Sequence, residues 1–163
     1  MRAPHRYSNV PGGYACALAK ALFILTSAVA SRLLASDSMP QSAVVLVVDD
    51  EADLAESCAR LLRRRGYRVV TANSWAAGRE ALARTSPRLL VSDVRLPDGD
   101  GLALVREAGA LTPPIPAIVI SGYPSEASRA AARDAGAIEF LPKPFSNDAF
   151  VRAVDRALNG HDA

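Results

Sequence analysis

Four hydrophobic runs, each ending in a chemically active patch, constrain this chain more than any other feature. Val44 to Val48 leads into Asp49-Asp50, and Leu89 to Val91 leads into Asp93. Ala117 to Ile120 leads into Ser121, and Ile138 to Leu141 leads into Lys143. Short, continuous, β-branched-rich runs are the mark of strands buried on both faces. Between them lie segments with apolar residues at helical spacing, such as Leu54, Cys58, Leu61 and Leu62 before the stop at Gly66. Strands alternating with helices predict a doubly wound α/β fold: a five-stranded parallel sheet with helices on both faces. In such a sheet all four patches emerge at one edge, where open α/β sheets bind their ligands.

The remaining elements are set by local signals. Tyr67 to Thr71 is a short strand, and Trp75 to Arg84 is a helix with Ser74 as N-cap and Pro87 beyond its end. Leu96 to Gly101 is turn chemistry, and Leu102 to Ala108 is a short helix. Ser125 to Ala135 is an alanine-rich helix stopped by Gly136. Ser146 caps a last helix whose apolar face is Phe150, Val151, Val154 and Leu158.

Charge narrows the function classes. The net charge is +2, but residues 1–38 hold Arg2, Arg6, Lys20 and Arg32 against Asp37 alone. That segment carries +3, so the remainder sums to −1 and is no basic nucleic-acid surface. The run Arg60, Arg63, Arg64, Arg65 reads as favourable charge at a helix C-terminus, with a docking patch as the alternative. The two cysteines, Cys16 and Cys58, form no metal or disulfide pattern, and Cys58 reads as a buried inert thiol. His5 and His161 lie near the termini, which argues against a histidine metal site or triad.

Residues 1–42 differ in character from the rest of the chain. Ala15 to Ala35 is apolar but interrupted by Lys20 and Arg32, and Ala21 to Ser31 is too short to span a bilayer. Three origins compete for this leader: a start codon called upstream of Met39, an amphipathic or membrane-associating extension, and a secretion signal ending at Ala28-Val29-Ala30. Membrane contact is expected only if the extension is real.

Alone, each patch has an ordinary explanation. Asp93 reads as a solvent-facing loop acid, Asp49 and Asp50 as surface acids starting a helix with Glu51, Ser121 as a turn serine and Lys143 as a surface lysine. Together they change the argument. Two like charges 4 Å apart repel by about 4 kcal/mol at an effective dielectric of 20. A Mg²⁺ ion, or another small divalent cation, removes that repulsion and takes one or two carboxylates plus phosphate oxygens as ligands. An ammonium at Lys143, stiffened by Pro142 and Pro144 with a Lys-Pro bond that proline allows to be cis, suits a phosphoryl oxygen.

The ordered motifs are Val-Val-Asp-Asp-Glu at 47–51, Ser-Asp-Val-Arg-Leu-Pro-Asp-Gly-Asp-Gly at 92–101, Val-Ile-Ser-Gly at 119–122 and Phe-Leu-Pro-Lys-Pro-Phe at 140–145. This set resembles the receiver domain of two-component response regulators, of flavodoxin-like fold, over residues 43–159, with 160–163 as a tail. The resemblance implies that Asp93 is the phosphoacceptor. It implies that Asp49, Asp50, Asp93 and the backbone carbonyl of Arg95 hold the metal, and that Ser121 is the switch hydroxyl. Lys143 becomes the phosphate contact, and Phe140 the aromatic whose rotamer follows phosphorylation. It further implies a histidine kinase or histidine phosphotransfer protein as donor, an unidentified downstream protein as target, and a cytoplasmic location. The expected role is signalling rather than that of an enzyme.

After Leu158 only Asn-Gly-His-Asp-Ala remains, so the expectation is a stand-alone receiver without an output domain and without direct nucleic-acid binding. Two other classes compete. A phosphorylation-independent interaction module would use the same fold without Mg²⁺. An aspartyl phosphatase would need a second acid two residues after the nucleophile, where Arg95 stands.

Overall fold

The computed structural model describes residues 43–160. The leader and residues 161–163, with Cys16, His5 and His161, lie outside the described residues. The order of elements is β1 (Val44–Val48), α1 (Ala52–Arg63), β2 (Arg68–Ala72), α2 (Trp75–Thr85), β3 (Leu89–Asp93), β4 (Arg95–Leu96), β5 (Gly99–Asp100), α3 (Gly101–Gly109), β6 (Ala117–Ser121), α4 (Glu126–Asp134), β7 (Glu139–Pro142) and α5 (Asn147–Asn159). The main sheet runs β2-β1-β3-β6-β7 with every pair parallel. This is the doubly wound sheet that the hydrophobic runs predict.

The helices divide between the two faces because successive strand residues point to opposite sides. Val45 and Val47 of β1, Val91 of β3 and Ile118 and Ile120 of β6 pack with Cys58 and Leu62 of α1 and Phe150 and Val154 of α5. Their alternates Leu46, Val48, Leu90 and Val119 pack with Leu82 of α2, Leu104 and Val105 of α3 and Ala132 of α4. Leu62 and Phe150 are fully buried. Burying a side chain of that size contributes about 1.5–3 kcal/mol, which ties α1 and α5 to their face.

Three local details differ from the sequence expectation. Gly66, at φ +89°, reverses the chain after α1, and the Tyr67 N–H closes onto the Leu62 carbonyl at 3.2 Å. Tyr67 is thereby tied to the helix end, and β2 starts one residue later. Ser125 stands outside α4 as its N-cap, in a reciprocal capping box with Ser128. The segment read as turn chemistry is a two-residue antiparallel ladder, β4 with β5, closed around Pro97-Asp98. Asp98 accepts from the Trp75 and Ala76 N–H groups at 2.6 and 3.0 Å, tying this hairpin to the start of α2.

The basic run after Cys58 is at the end of α1 as expected, with Arg60 and Arg63 in the last turn. Arg63 pairs with Glu56 at 2.7 Å and Arg65 with Asp155 at 3.4 Å. Cys58 is buried as a free thiol, and burial pushes its pKa up to about 11. Among the described residues no helix is long and apolar enough to cross a membrane.

Candidate phosphoryl and metal site

The C-terminal ends of β1, β3, β6 and β7 meet as the parallel sheet requires. Register sets Asp93 opposite Ile120 and Ser121 opposite Pro142, one residue before Lys143. Asp49 comes directly after β1, and its own N–H donates to the Ala72 carbonyl at 3.0 Å. Asp49, Asp50 and Asp93 each offer a carboxylate oxygen, and these oxygens lie within 4.8 Å of one another. Asp49 and Asp93 are buried, while Asp50 is exposed.

Lys143 holds this cluster together. Its ammonium lies 2.5 Å from Asp93 Oδ2, 2.8 Å from Asp49 Oδ2 and 2.8 Å from Glu51 Oε1. Its side chain is only 12% exposed. Burial alone pulls a lysine pKa down, but here the bonds to Asp49, Asp93 and Glu51 outweigh it and hold the ammonium well above the usual lysine range. Burial also raises the Asp49 pKa, against the opposing pull of Lys143 and of the Glu51 N–H. The Lys143–Pro144 bond is cis. The backbone N–H of Lys143 donates to the Ser121 carbonyl at 2.8 Å, which links the two patches.

Asp93 differs from the solvent-facing acid that its place in the sequence suggests. Its side chain is 9% exposed because Lys143 lies across it, while the Arg95 N–H donates to Oδ1 at 2.8 Å. Ser121 is likewise buried, and its hydroxyl accepts from the Tyr123 N–H at 3.1 Å. Phe140 is outside the cluster. It is partly buried beside Val119, on the face that carries α4, with the Arg129 guanidinium 4.7 Å above its ring centroid.

Three contributions are not evident from the sequence alone. Glu51 reads there as a helix-start acid, yet it is the third carboxylate on Lys143. Its place beside the two aspartates is the signal that could have found it. Gly101 reads as a turn residue, yet a Cβ there would lie 1.7 Å from the Asp93 carbonyl oxygen. Arg95 stacks over the Tyr123 ring at 4.3 Å, joining the residues two beyond Asp93 and Ser121.

The donor set fits a hard divalent cation. Asp49 Oδ2 is fully buried, and its contact of opposite charge is the Lys143 ammonium at 2.8 Å. At 4.8 Å and an effective dielectric of 20, each pair of carboxylates repels by about 3 kcal/mol. Lys143 offsets part of that, and a cation with oxygen ligands would offset the rest.

Comparison with known proteins places the chain in a family. Residues 45–155 match the family described as the response regulator receiver domain. The chain is 35% identical over 119 residues to the DNA-binding transcriptional regulator NtrC of Escherichia coli, covering 73% of this chain and 25% of that protein. It is 38% identical over 122 residues to the response regulator MprA of Mycobacterium leprae, covering 73% of this chain and 54% of that protein. The chain thus spans a quarter to about half of these relatives. Among solved structures, a CheY-like response regulator receiver domain protein from Methanospirillum hungatei superposes with TM-score 0.70 at 26% identity, over 74% of this chain and 97% of that one. NtrX from Brucella abortus superposes with TM-score 0.69 at 33% identity, over 74% of this chain and 28% of that one.

Proposed function

The chain belongs to the response regulator receiver domain family, and from that premise we propose that Asp93 accepts a phosphoryl group from a phosphohistidine and so switches a protein-interaction face. Receiver domains of this family work with histidine kinases or phosphotransfer proteins. The observation that carries the reading is the convergence of Asp49, Asp93 and Lys143, all largely buried, with the exposed Asp50 beside them.

Asp93 Oδ1 is engaged by the Arg95 N–H, so Oδ2 is the oxygen turned to the incoming phosphorus. As the oxygen–phosphorus bond forms, the phosphorus–nitrogen bond to the donor imidazole breaks, and the nitrogen keeps the electron pair. Lys143 then exchanges its contact with the carboxylate for one with a phosphoryl oxygen, as a charge-assisted bond. Asp49, Asp50, Asp93 and the Arg95 carbonyl would hold Mg²⁺, which when bound supplies neutralising charge to the transferring phosphoryl group. The chain's own contribution is positioning and preset electrostatics.

Ser121 is the hydroxyl that turns to the phosphoryl group, and Phe140 is the aromatic that follows it inward. The face of α4, β7 and α5 repacks and changes its affinity for a downstream protein, a population shift between two packings. Location in the cytoplasm is inferred from the need for a phosphohistidine donor.

Acetyl phosphate or phosphoramidate with Mg²⁺ tests the assignment. Intact mass should rise by one phosphoryl group in the wild type and stay unchanged in Asp93→Ala; equal labelling of both would overturn it. Co-purification with and without beryllofluoride tests the output face. The stand-alone expectation and the leader are both read by the intact mass of the natively produced protein.

A further inference from the structure

We propose that Arg129 is a latch on the Phe140 ring, holding it outward under α4 and so limiting how much unphosphorylated protein occupies the output-active packing. This rests on the proposed switch, since it needs Phe140 to move. The Arg129 Cζ lies 4.7 Å from the ring centroid, and a cation there is attracted by the negative face of the ring. Among the described residues Arg129 makes no ion pair, whereas Arg133, one turn on, pairs with Glu126 at 3.3 Å. The aromatic ring is therefore the partner of this guanidinium.

The position gives the contact leverage. α4 buries one side chain, Ala132. A helix with so little apolar anchorage depends on its remaining contacts, and the arginine–ring stack joins it directly to β7. Register fixes the direction in which release would occur. Phe140 stands opposite Val119, and Ser121 is two residues further along β6, on the same face. A ring turning toward Ser121 would leave its present place beside the guanidinium, so the stack favours the partly buried position it now holds.

A partly exposed cation–ring contact biases a two-state population about two- to fivefold. An activator that binds only the minor packing has its apparent affinity scaled by the population of that packing. Arg129 is thus a positioning residue acting through Phe140; among the described residues its side chain makes no hydrogen bond or ion pair with Asp49, Asp93, Ser121 or Lys143.

The test uses the full chain labelled with fluorophenylalanine, the Phe140 signal being assigned by its loss in Phe140→Leu. Wild type, Arg129→Met and Arg129→Lys are titrated with beryllofluoride in Mg²⁺. Arg129→Met keeps the aliphatic stem and removes the charge. It should shift the Phe140 signal toward the saturated position before any beryllofluoride is added, and lower half-saturation about two- to fivefold. Arg129→Lys, which keeps the charge, should return both toward wild type. If Arg129→Met matches wild type, or raises half-saturation, while beryllofluoride still moves the ring, the latch is refuted and the switch reading stands. A wild-type ring signal indifferent to beryllofluoride would overturn both.

Discussion

Replacing Gly101 with alanine should damage the protein more than any other single methyl addition at its described glycines. Gly101 opens α3 directly behind Asp93, the proposed phosphoacceptor. A Cβ built there meets the Asp93 carbonyl oxygen at 1.7 Å, the Asp93 carbonyl carbon at 2.8 Å and Ser92 Oγ at 2.8 Å. Even a weak carbon–oxygen contact settles near 3.3–3.6 Å, so the methyl and the carbonyl must separate by roughly 1.6–1.9 Å. Both atoms belong to fixed backbone, one in a central strand and one in the first turn of a helix. The Gly101 N–H bond to the Val94 carbonyl at 2.9 Å, and the Ser92 hydroxyl bond to the Asp93 carbonyl at 3.0 Å, lie in the path of any adjustment. Overpacking of this kind costs about 1–3 kcal/mol and occasionally more, and losing a buried hydrogen bond adds about 1–3 kcal/mol. We expect Gly101→Ala to lose about 3 kcal/mol or more in urea denaturation at constant m-value. Phosphorylation by acetyl phosphate should fall in the same variant, because the displaced carbonyl is that of Asp93. Gly109, at the other end of α3, is the control: no atom lies within 4 Å of a Cβ there, so Gly109→Ala should be neutral or stabilising by up to about 1 kcal/mol. A Gly101→Ala variant within about 0.5 kcal/mol of wild type would refute the close-approach argument.

Asp50→Asn relieves the repulsion between Asp50 and the carboxylates of Asp49 and Asp93, so in EDTA it should be at least as stable as wild type, while weakening the thermal stabilisation given by added Mg²⁺; a Mg²⁺ response identical to wild type counts against Asp50 as a ligand. Asp98 has a pKa lowered chiefly by the Ala76 N–H bond, so its contribution is present above the ordinary aspartate value and disappears as pH falls through the lowered one. The destabilisation of Asp98→Ala, measured by denaturant melts, should therefore be constant near neutrality and shrink only below about pH 4; a loss between about pH 8 and 6 would contradict the assignment. Cys58, with its pKa pushed from 9.0 to about 11, holds about a hundredfold less thiolate at about pH 8 than an ordinary thiol. Peptide mapping after iodoacetamide should find it modified only in denaturant, and rapid native labelling would show that the helix face is open.

The sequence by itself determined the fold class and which residue types gather at one edge of the sheet. Three central strands buried on both faces leave no choice but continuous apolar runs, and polar residues that end such runs emerge at one edge of a parallel sheet. Asp49, Asp50, Asp93, Ser121 and Lys143 were therefore legible as neighbours from their places at strand ends. Tertiary structure alone decided what depends on distances between segments remote in the chain. Glu51 gained its partner because Lys143, 92 residues away, reaches over the start of α1. Gly101 proved to be a close-approach glycine because α3 begins against the Asp93 carbonyl, and Arg129 met Phe140 because α4 carries its guanidinium to within 4.7 Å of that ring. A residue pattern encodes which way a side chain faces within its own element; how closely two elements approach is fixed only when their side chains pack together.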